Sequence, residues 1–218
     1  MEQNDDIPMA SFLPPETVAM IKQYGHQMPG DLAFEEHMTV LFSDMRGFTE
    51  LADRYDPRLV YRTINASLAT QAHIVNEFGG SINKFLGDGL LACFSGEKRV
   101  EHATNCLIKM LTILPTLEGK GDLLPCRVGF GMHDGKVMFG LVGNETRKEF
   151  TVIGDVPNTA ARLCGRAGPF QGLMTEDCVS LLSEEMSDRY CRFFSSLYVR
   201  GKRDPLNVFY LSLNDTEA

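Results

Sequence analysis

No run of apolar residues in this chain approaches the ~20 needed to cross a bilayer as a helix, so no transmembrane segment is expected. Positive charge is not in excess either. Twenty-one Lys and Arg against 29 Asp and Glu leave a formal net charge of −8, which argues against a general nucleic-acid surface and requires any phosphate site to be locally basic. The six cysteines, at 93, 106, 126, 164, 178 and 191, include no Cys-x-x-Cys pair. Most have apolar neighbours and read as buried small hydrophobes in a reducing compartment, not as a zinc or disulfide framework. No second histidine stands at metal-ligand spacing from His133, which reads as a rim residue. The opening residues, Met1 to Asp6, are acidic and lack the basic and apolar regions of a signal peptide, so the expected location is cytoplasmic. What remains is an ordinary globular composition, 44% hydrophobic and 23% charged over 218 residues. That is enough for one large domain with an appendage.

Residues 1–35 read as the appendage: a linker with a short helix, opened by Pro14-Pro15 and carrying Val18 and Ile21 at helical spacing. Residues 36–218 read as the main domain. Met38 to Ser43 is a short apolar run consistent with a buried strand. A long helix is expected after Asp56-Pro57, with Val60, Ile64, Leu68, Val75 and Phe78 on one face, ended by Gly79-Gly80. Ser81 to Phe94 places two apolar runs around Gly87-Asp88-Gly89, the pattern of a β-hairpin. A second helix spans Val100 to Leu114. Alternation from Arg127 predicts a strand, and Asp134-Gly135 predicts a hairpin turn into another. After a polar arm at 144–149 come Phe150 to Ile153 and a helix opened by Pro157. Residues 172–213 add a strand, a helix and two final strands. The order β-α-β-β-α-β without a regular long βαβ repeat predicts an α+β, ferredoxin-like sandwich with additional C-terminal strands and helices.

Several polar positions carry possible chemistry, each with a plainer alternative. Asp44 ends a strand and is followed by Met45-Arg46-Gly47-Phe48-Thr49, a geometry that can offer free backbone N–H groups to a phosphate or can simply cap a helix. Asp88 sits at a glycine-freed tip, as a cation ligand or as a solvated turn aspartate. Asn158 and Arg162 are four apart and share a helical face, either to address one ligand or as a surface pair. Arg200-Gly201-Lys202-Arg203 is a local basic spot or a solvated turn. Two strand-end carboxylates, several cations and no nucleophile–histidine pair together suggest metal-assisted phosphate chemistry with two Mg²⁺ ions.

Three stretches carry a resemblance: Phe42-Ser-Asp-Met-Arg-Gly-Phe-Thr49, Lys84-Phe-Leu-Gly-Asp-Gly89 and Val152-Ile-Gly-Asp-Val-Pro-Asn-Thr-Ala-Ala-Arg162. In order and spacing they resemble the signature blocks of class III nucleotidyl cyclase catalytic domains, over about residues 36 to 213. The resemblance implies a homodimer with sites at the subunit interface and two Mg²⁺ or Mn²⁺ ions as cofactors. Asp44, Asp88 and the carbonyl of Met45 match the metal ligands. The backbone at Gly47, Phe48 and Thr49 and the side chain of Arg200 (or nearby Lys202) match the triphosphate contacts. Lys84 matches the base-reading lysine, Asn158 the ribose-positioning residue, and Arg162 the arginine that stabilises transition-state charge. The implied substrate is ATP and the product 3′,5′-cyclic AMP. Thr151 stands where many adenylyl cyclases have aspartate, and a hydroxyl can accept from adenine or donate to guanine. The Thr-bearing subgroup resembles cyclases stimulated by bicarbonate. The alternatives are a guanylyl cyclase and a catalytically silent, nucleotide-sensing cyclase-like domain; the silent type typically lacks metal aspartates or the Asn–Arg pair, all of which stand here.

Overall fold

A computed structural model of the chain describes residues 13, 15–27, 29–118, 120–121, 123–198 and 204–213. The predicted β-α-β-β-α-β core is present. Strand β1 (Ala33–Met45) leads through a short helix α2 (Phe48–Arg54) into the long α3 (Pro57–Glu77), then β2 (Ser81–Phe85), β3 (Leu90–Phe94), α4 (Arg99–Ile113) and β4 (Val128–Gly143). These four strands lie in the order β2-β3-β1-β4. A preceding helix, α1 (Pro15–Tyr24), reaches the sheet through Met20. Beyond the core come β5 (Lys148–Ile153), α5 (Asp155–Arg166), β6 (Gly172–Thr175), α6 (Glu176–Val179), α7 (Glu184–Tyr190), β7 (Cys191–Leu197) and β8 (Leu206–Leu211). They extend the sheet as β4-β6-β8-β7, while β5 pairs with the far half of β4.

Strand alternation divides β1 between two cores. Leu41 and Met45 face α3 and α4 in one buried cluster with Phe94, Leu107, Met110 and Phe130. Met38 and Val40 face the opposite way, into a cluster with Phe139, Phe150, Val152 and the α5 residues Val156 and Ala160. On α3, Asp56 caps the N-terminus by accepting from the Arg58 N–H at 2.8 Å, and Pro57 occupies the first turn. Helix α5 lies directly on β4 because Gly131 has no side chain: a Cβ there would stand 2.1 Å from the Cys164 nitrogen and 2.2 Å from the Ala160 carbonyl oxygen. Among the described helices, none is long and apolar enough to cross a membrane.

All six cysteines are buried, and none is joined in a disulfide. Burial pushes the Cys106 and Cys178 thiols up to about 12, in line with their reading as small hydrophobes.

Two expectations are corrected. Asp134-Gly135 is not a hairpin turn. β4 runs through it, because β1 pairs with β4 continuously from Met45↔Val128 to Ala33↔Gly140, placing Met38 and Thr39 opposite Gly135 and Asp134. Asp134 is instead a buried structural carboxylate. It accepts from Arg99 Nε at 2.7 Å and Nη2 at 2.9 Å, and from Thr39 Oγ1 at 2.7 Å, joining α4, β4 and β1. His133 is no rim residue either. It is 4% exposed, with Nδ1 at 2.7 Å from Thr175 Oγ1 of β6.

Removing Asp134 leaves a largely buried guanidinium without its bidentate partner, so Asp134→Ala should lower unfolding stability by about 3 kcal/mol. Urea unfolding measures this as a reduced midpoint at constant slope. A loss below about 1 kcal/mol would place the pair with ordinary surface ion pairs.

Candidate active site

β1 and the β2–β3 hairpin bring the two aspartates together. The predicted hairpin is formed, with the Leu86 N–H donating to the Gly89 carbonyl at 2.8 Å across Gly87-Asp88. Gly89 rests on β1 so closely that a Cβ would lie 2.0 Å from the Ser43 carbonyl oxygen. That close approach carries Asp88 to the end of β1, where its Oδ2 accepts from the Met45 N–H at 3.3 Å. Burial pushes the Asp88 carboxyl above the usual carboxylate range. The charge of Asp44 adds to this, while hydrogen bonds from its own N–H and that of Met45, with the charge of Arg46, oppose it. Arg46 pairs with the Asp44 carboxylate and also donates to the Asp44 carbonyl at 3.2 Å. Its Nη2 lies 3.9 Å from the Cys164 sulfur of α5.

These groups suit a hard divalent cation. Asp44 and Asp88 offer carboxylate oxygens within one small region, and the mutual repulsion that helps raise Asp88 is what a cation relieves. The Met45 side chain is 4% exposed and belongs to the core, so only its backbone carbonyl could add a ligand. Gly47 follows as the residue preceding α2, with φ 73°, a left-handed conformation that glycine adopts without steric cost. The alternative of a capping aspartate is not realised, since no side chain caps this helix. Phe48 and Thr49 begin α2, where first-turn amides have no intrahelical acceptor.

A second group of predicted residues gathers elsewhere. The arm formed by β4 and β5 folds back over the sheet, so that Phe150 and Val152 share a buried cluster with Leu91 and Cys93 of β3. β5 thereby reaches β2 by side chains without joining it in the sheet ladder. Lys84 forms an ion pair with Glu149, and Thr151 donates its hydroxyl to Asn83 Oδ1 at 3.4 Å. An open cavity of about 380 Å³, lined by Val142, Gly143, Asn144, Arg147 and Glu149, adjoins this ion pair. Asn158 and Arg162 form a third group, both exposed on α5, whose other side buries Val156, Pro157, Thr159, Ala160, Leu163 and Cys164. Arg200 and Lys202 lie outside the described residues.

Three contributors escape a reading of the sequence alone: Arg46, Glu149 and Asn83. Arg46 lies inside the first signature stretch and pairs with Asp44, two residues before it. Glu149 could have been found, being two residues before Thr151 and hence on the same strand face. Asn83 gives no such signal. Strand alternation would aim it away from the face that Lys84 uses, and a register irregularity in β2 overturns that alternation.

The comparisons agree with this architecture. Residues 33–212 match the model of the adenylate and guanylate cyclase catalytic domain. An adenylate cyclase of Anabaena cylindrica is 31% identical over 208 residues, covering 91% of this chain and 41% of that protein. The terminal-differentiation-specific adenylate cyclase of Dictyostelium discoideum is 28% identical, covering 92% of this chain and 10% of that protein. The chain thus spans less than half the length of these curated relatives. Among solved structures, the adenylyl cyclase CyaB from P. aeruginosa superimposes with a TM-score of 0.76 at 26% identity, covering 86% of this chain and 99% of that one. With its sheet order, its paired aspartates and a family match across most of its length, the chain belongs to the class III adenylyl and guanylyl cyclase catalytic domain family.

Proposed function

We propose that this chain is an adenylyl cyclase catalytic domain, converting ATP to 3′,5′-cyclic AMP and pyrophosphate at sites shared by two copies in a homodimer. The observation that carries the reading is the meeting of Asp88 with the Met45 amide beside Asp44, an oxygen-donor set of the kind that takes Mg²⁺ or Mn²⁺ with a triphosphate. Two such ions, when bound, would favour ionisation of the ribose 3′-hydroxyl and neutralise phosphate charge. The names of the Anabaena and Dictyostelium relatives support ATP as the substrate.

In this reaction the ribose 3′-oxygen bonds to the α-phosphorus, the bond to the pyrophosphate oxygen breaks, and the 3′-hydroxyl loses its proton. The chain's own contribution is mainly position and fixed charge. Asp44 and Asp88 hold the cationic end of the site with the Met45 carbonyl. The amides of Gly47, Phe48 and Thr49, with Arg200, hold the β- and γ-phosphates. Asn158 orients the ribose, and Arg162 meets the charge that grows on the α-phosphate. Lys84 and Thr151 read the base. Glu149 then acts as the resting partner of Lys84, giving up that ammonium as the base enters.

The distribution of these groups supports the homodimer reading. On one hairpin, Asp88 turns to β1 while Lys84 turns to β5, so each chain would supply metal ligands to one site and base contacts to the other. Exposed apolar side chains lie where a second copy would cover them: Phe85 and Leu86 on the hairpin, Met138, Val142 and Ile153 on the arm. The division of residues 1–35 as a linker and 36–218 as the catalytic unit belongs to the same proposal. So does stimulation by bicarbonate, which rests on the resemblance of Thr-bearing members to bicarbonate-stimulated cyclases; equal rates with and without bicarbonate at one fixed pH would overturn it.

A second reading, a guanylyl cyclase, is favoured by one feature: Thr151 bears a hydroxyl, which can donate as well as accept. Chromatography of products from ATP and GTP, each with Mg²⁺ and with Mn²⁺, decides between them. Cyclic AMP from ATP is the expected dominant product, and no cyclic nucleotide from either substrate would end both readings. Arg162→Ala should lower kcat by about a hundredfold with KM changed only a few-fold, the sign of a contact made mainly in the transition state. Unaltered kcat removes Arg162 from that role. Mixing Lys84→Ala with Asp88→Ala protein should recover activity that neither variant has alone, because both lesions then fall in one site and leave the other whole. Heterodimers that form and remain inactive would contradict the shared site.

A further inference from the structure

Taken alone, Thr151 discriminates poorly. Its hydroxyl can accept from the amino group of adenine or donate to the carbonyl of guanine. The neighbouring side chain of Asn83 resolves which.

Asn83 is the extra residue in the register shift of β2, between the pairs Ile82↔Ala92 and Lys84↔Leu91. An inserted residue of this kind breaks alternation and re-aims side chains. Asn83 and Lys84, though consecutive, therefore both reach β5. Asn83 is 3% exposed, and both ends of its amide are engaged. Nδ2 donates to the Phe150 carbonyl at 3.3 Å, and Oδ1 accepts from Thr151 Oγ1 at 3.4 Å. These contacts fix the amide's sense, since the reversed amide would set Oδ1 against the Phe150 carbonyl, acceptor against acceptor. With its orientation held, Asn83 takes the only proton of the Thr151 hydroxyl. Two lone-pair directions share what is left of that oxygen.

We propose that Asn83 is a specificity-determining positioning residue, which holds Thr151 as a hydrogen-bond acceptor so that the base site takes the amino group of adenine and disfavours the carbonyl of guanine. The proposal rests on the reading of Lys84 and Thr151 as the base-contacting pair. Guanine would bring an acceptor against an acceptor, and an unmatched polar contact in a closed site is where selectivity is strongest. Asn83 itself need not touch the nucleotide.

The test uses the full chain and measures kcat/KM for ATP and for GTP under one metal condition. The wild type should prefer ATP. Asn83→Leu, close in volume and without polar atoms, frees the hydroxyl to rotate and should narrow the ATP-to-GTP ratio about tenfold, the change expected when one hydrogen bond is exchanged for a mismatch. In a Thr151→Val background, which has no hydroxyl to orient, Asn83→Leu should leave the ratio unaltered. If Asn83→Leu does not fold, Asn83→Ala makes the same comparison. Equal losses for ATP and GTP would reduce Asn83 to a clamp between β2 and β5 and overturn the proposal alone. A wild-type preference for GTP would overturn both the proposal and the adenine reading beneath it.

Discussion

The continuous pairing of β1 with β4 is the constraint on which the other parts of the structure depend. From Met45↔Val128 to Ala33↔Gly140, one ladder fixes the register of both strands, and a slip of one residue would turn every side chain to the opposite face. Leu41 and Met45 would then leave the α3–α4 core for the α5 side, and Met38 and Val40 would do the reverse. Gly131 would no longer lie under α5, where backbone atoms of Ala160 and Cys164 occupy the space of a missing Cβ. Asp44, at the end of this ladder, owes its position to the same register. Asp44 is thus placed by a sheet with helices on both faces, and the turn of the β2–β3 hairpin brings Asp88 to it.

Asp134 shows what such a ladder does to local sequence signals. Asp-Gly between alternating residues is among the stronger short-range hairpin signals, because it tolerates the turn's positive φ. Here the partner strand is long enough to hold β4 straight through it. The aspartate is then buried, and burial is tolerable because Arg99 and Thr39 satisfy its oxygens. The core element order, the Gly-Asp-Gly hairpin and the long α3 were legible because each rests on periodicity or on glycine within a few residues. The core face of α3 was legible only in part, since Ile64, Leu68 and Phe78 are half-buried while the polar Thr63, Ser67 and Gln71 are buried. The fate of Asp134 and His133 was not legible, because it depends on strands distant in sequence: β1 for the one and β6 for the other. The placement of Asp44 and Asp88 side by side falls between these cases. Each stood out as a strand-end carboxylate, but their meeting requires the contact of Gly89 with Ser43, a tertiary event.

Two cations of the candidate site are held by carboxylates of the chain itself. Arg46 pairs with Asp44, and Lys84 pairs with Glu149. In a chain of net charge −8, such pairs keep positive groups positioned without building a basic surface that would bind polyanions indiscriminately. The pairs are partly exposed, and exposed ion pairs contribute little to stability. Exchanging one of them for a contact with a nucleotide therefore costs little, whereas a largely buried pair such as Arg99–Asp134 resists exchange. The two kinds of ion pair divide the molecule. Where the pair is buried it builds the fold, and where it is half-exposed it leaves a charge available.

The β4–β5 arm joins these arguments. Because β5 leaves the end of β4 and folds over the sheet, it meets β2, which lies across β1 and β3 from β4 in the strand order. That contact is made by side chains, with Asn83 and Lys84 reaching Phe150, Thr151 and Glu149. In a backbone ladder the two strands would lie edge to edge, with opposed side chains side by side on one face of the sheet. A side-chain contact instead puts polar groups face to face, where their donor and acceptor sense can be read by a ligand. The irregular step in β2 is what allows two consecutive residues to take part. A regular strand could have supplied Lys84 or Asn83 to that surface, but not both. On the proposed adenine reading, base contact and base selectivity would both come from adjacent residues of one chain, through a single departure from the regular pleat.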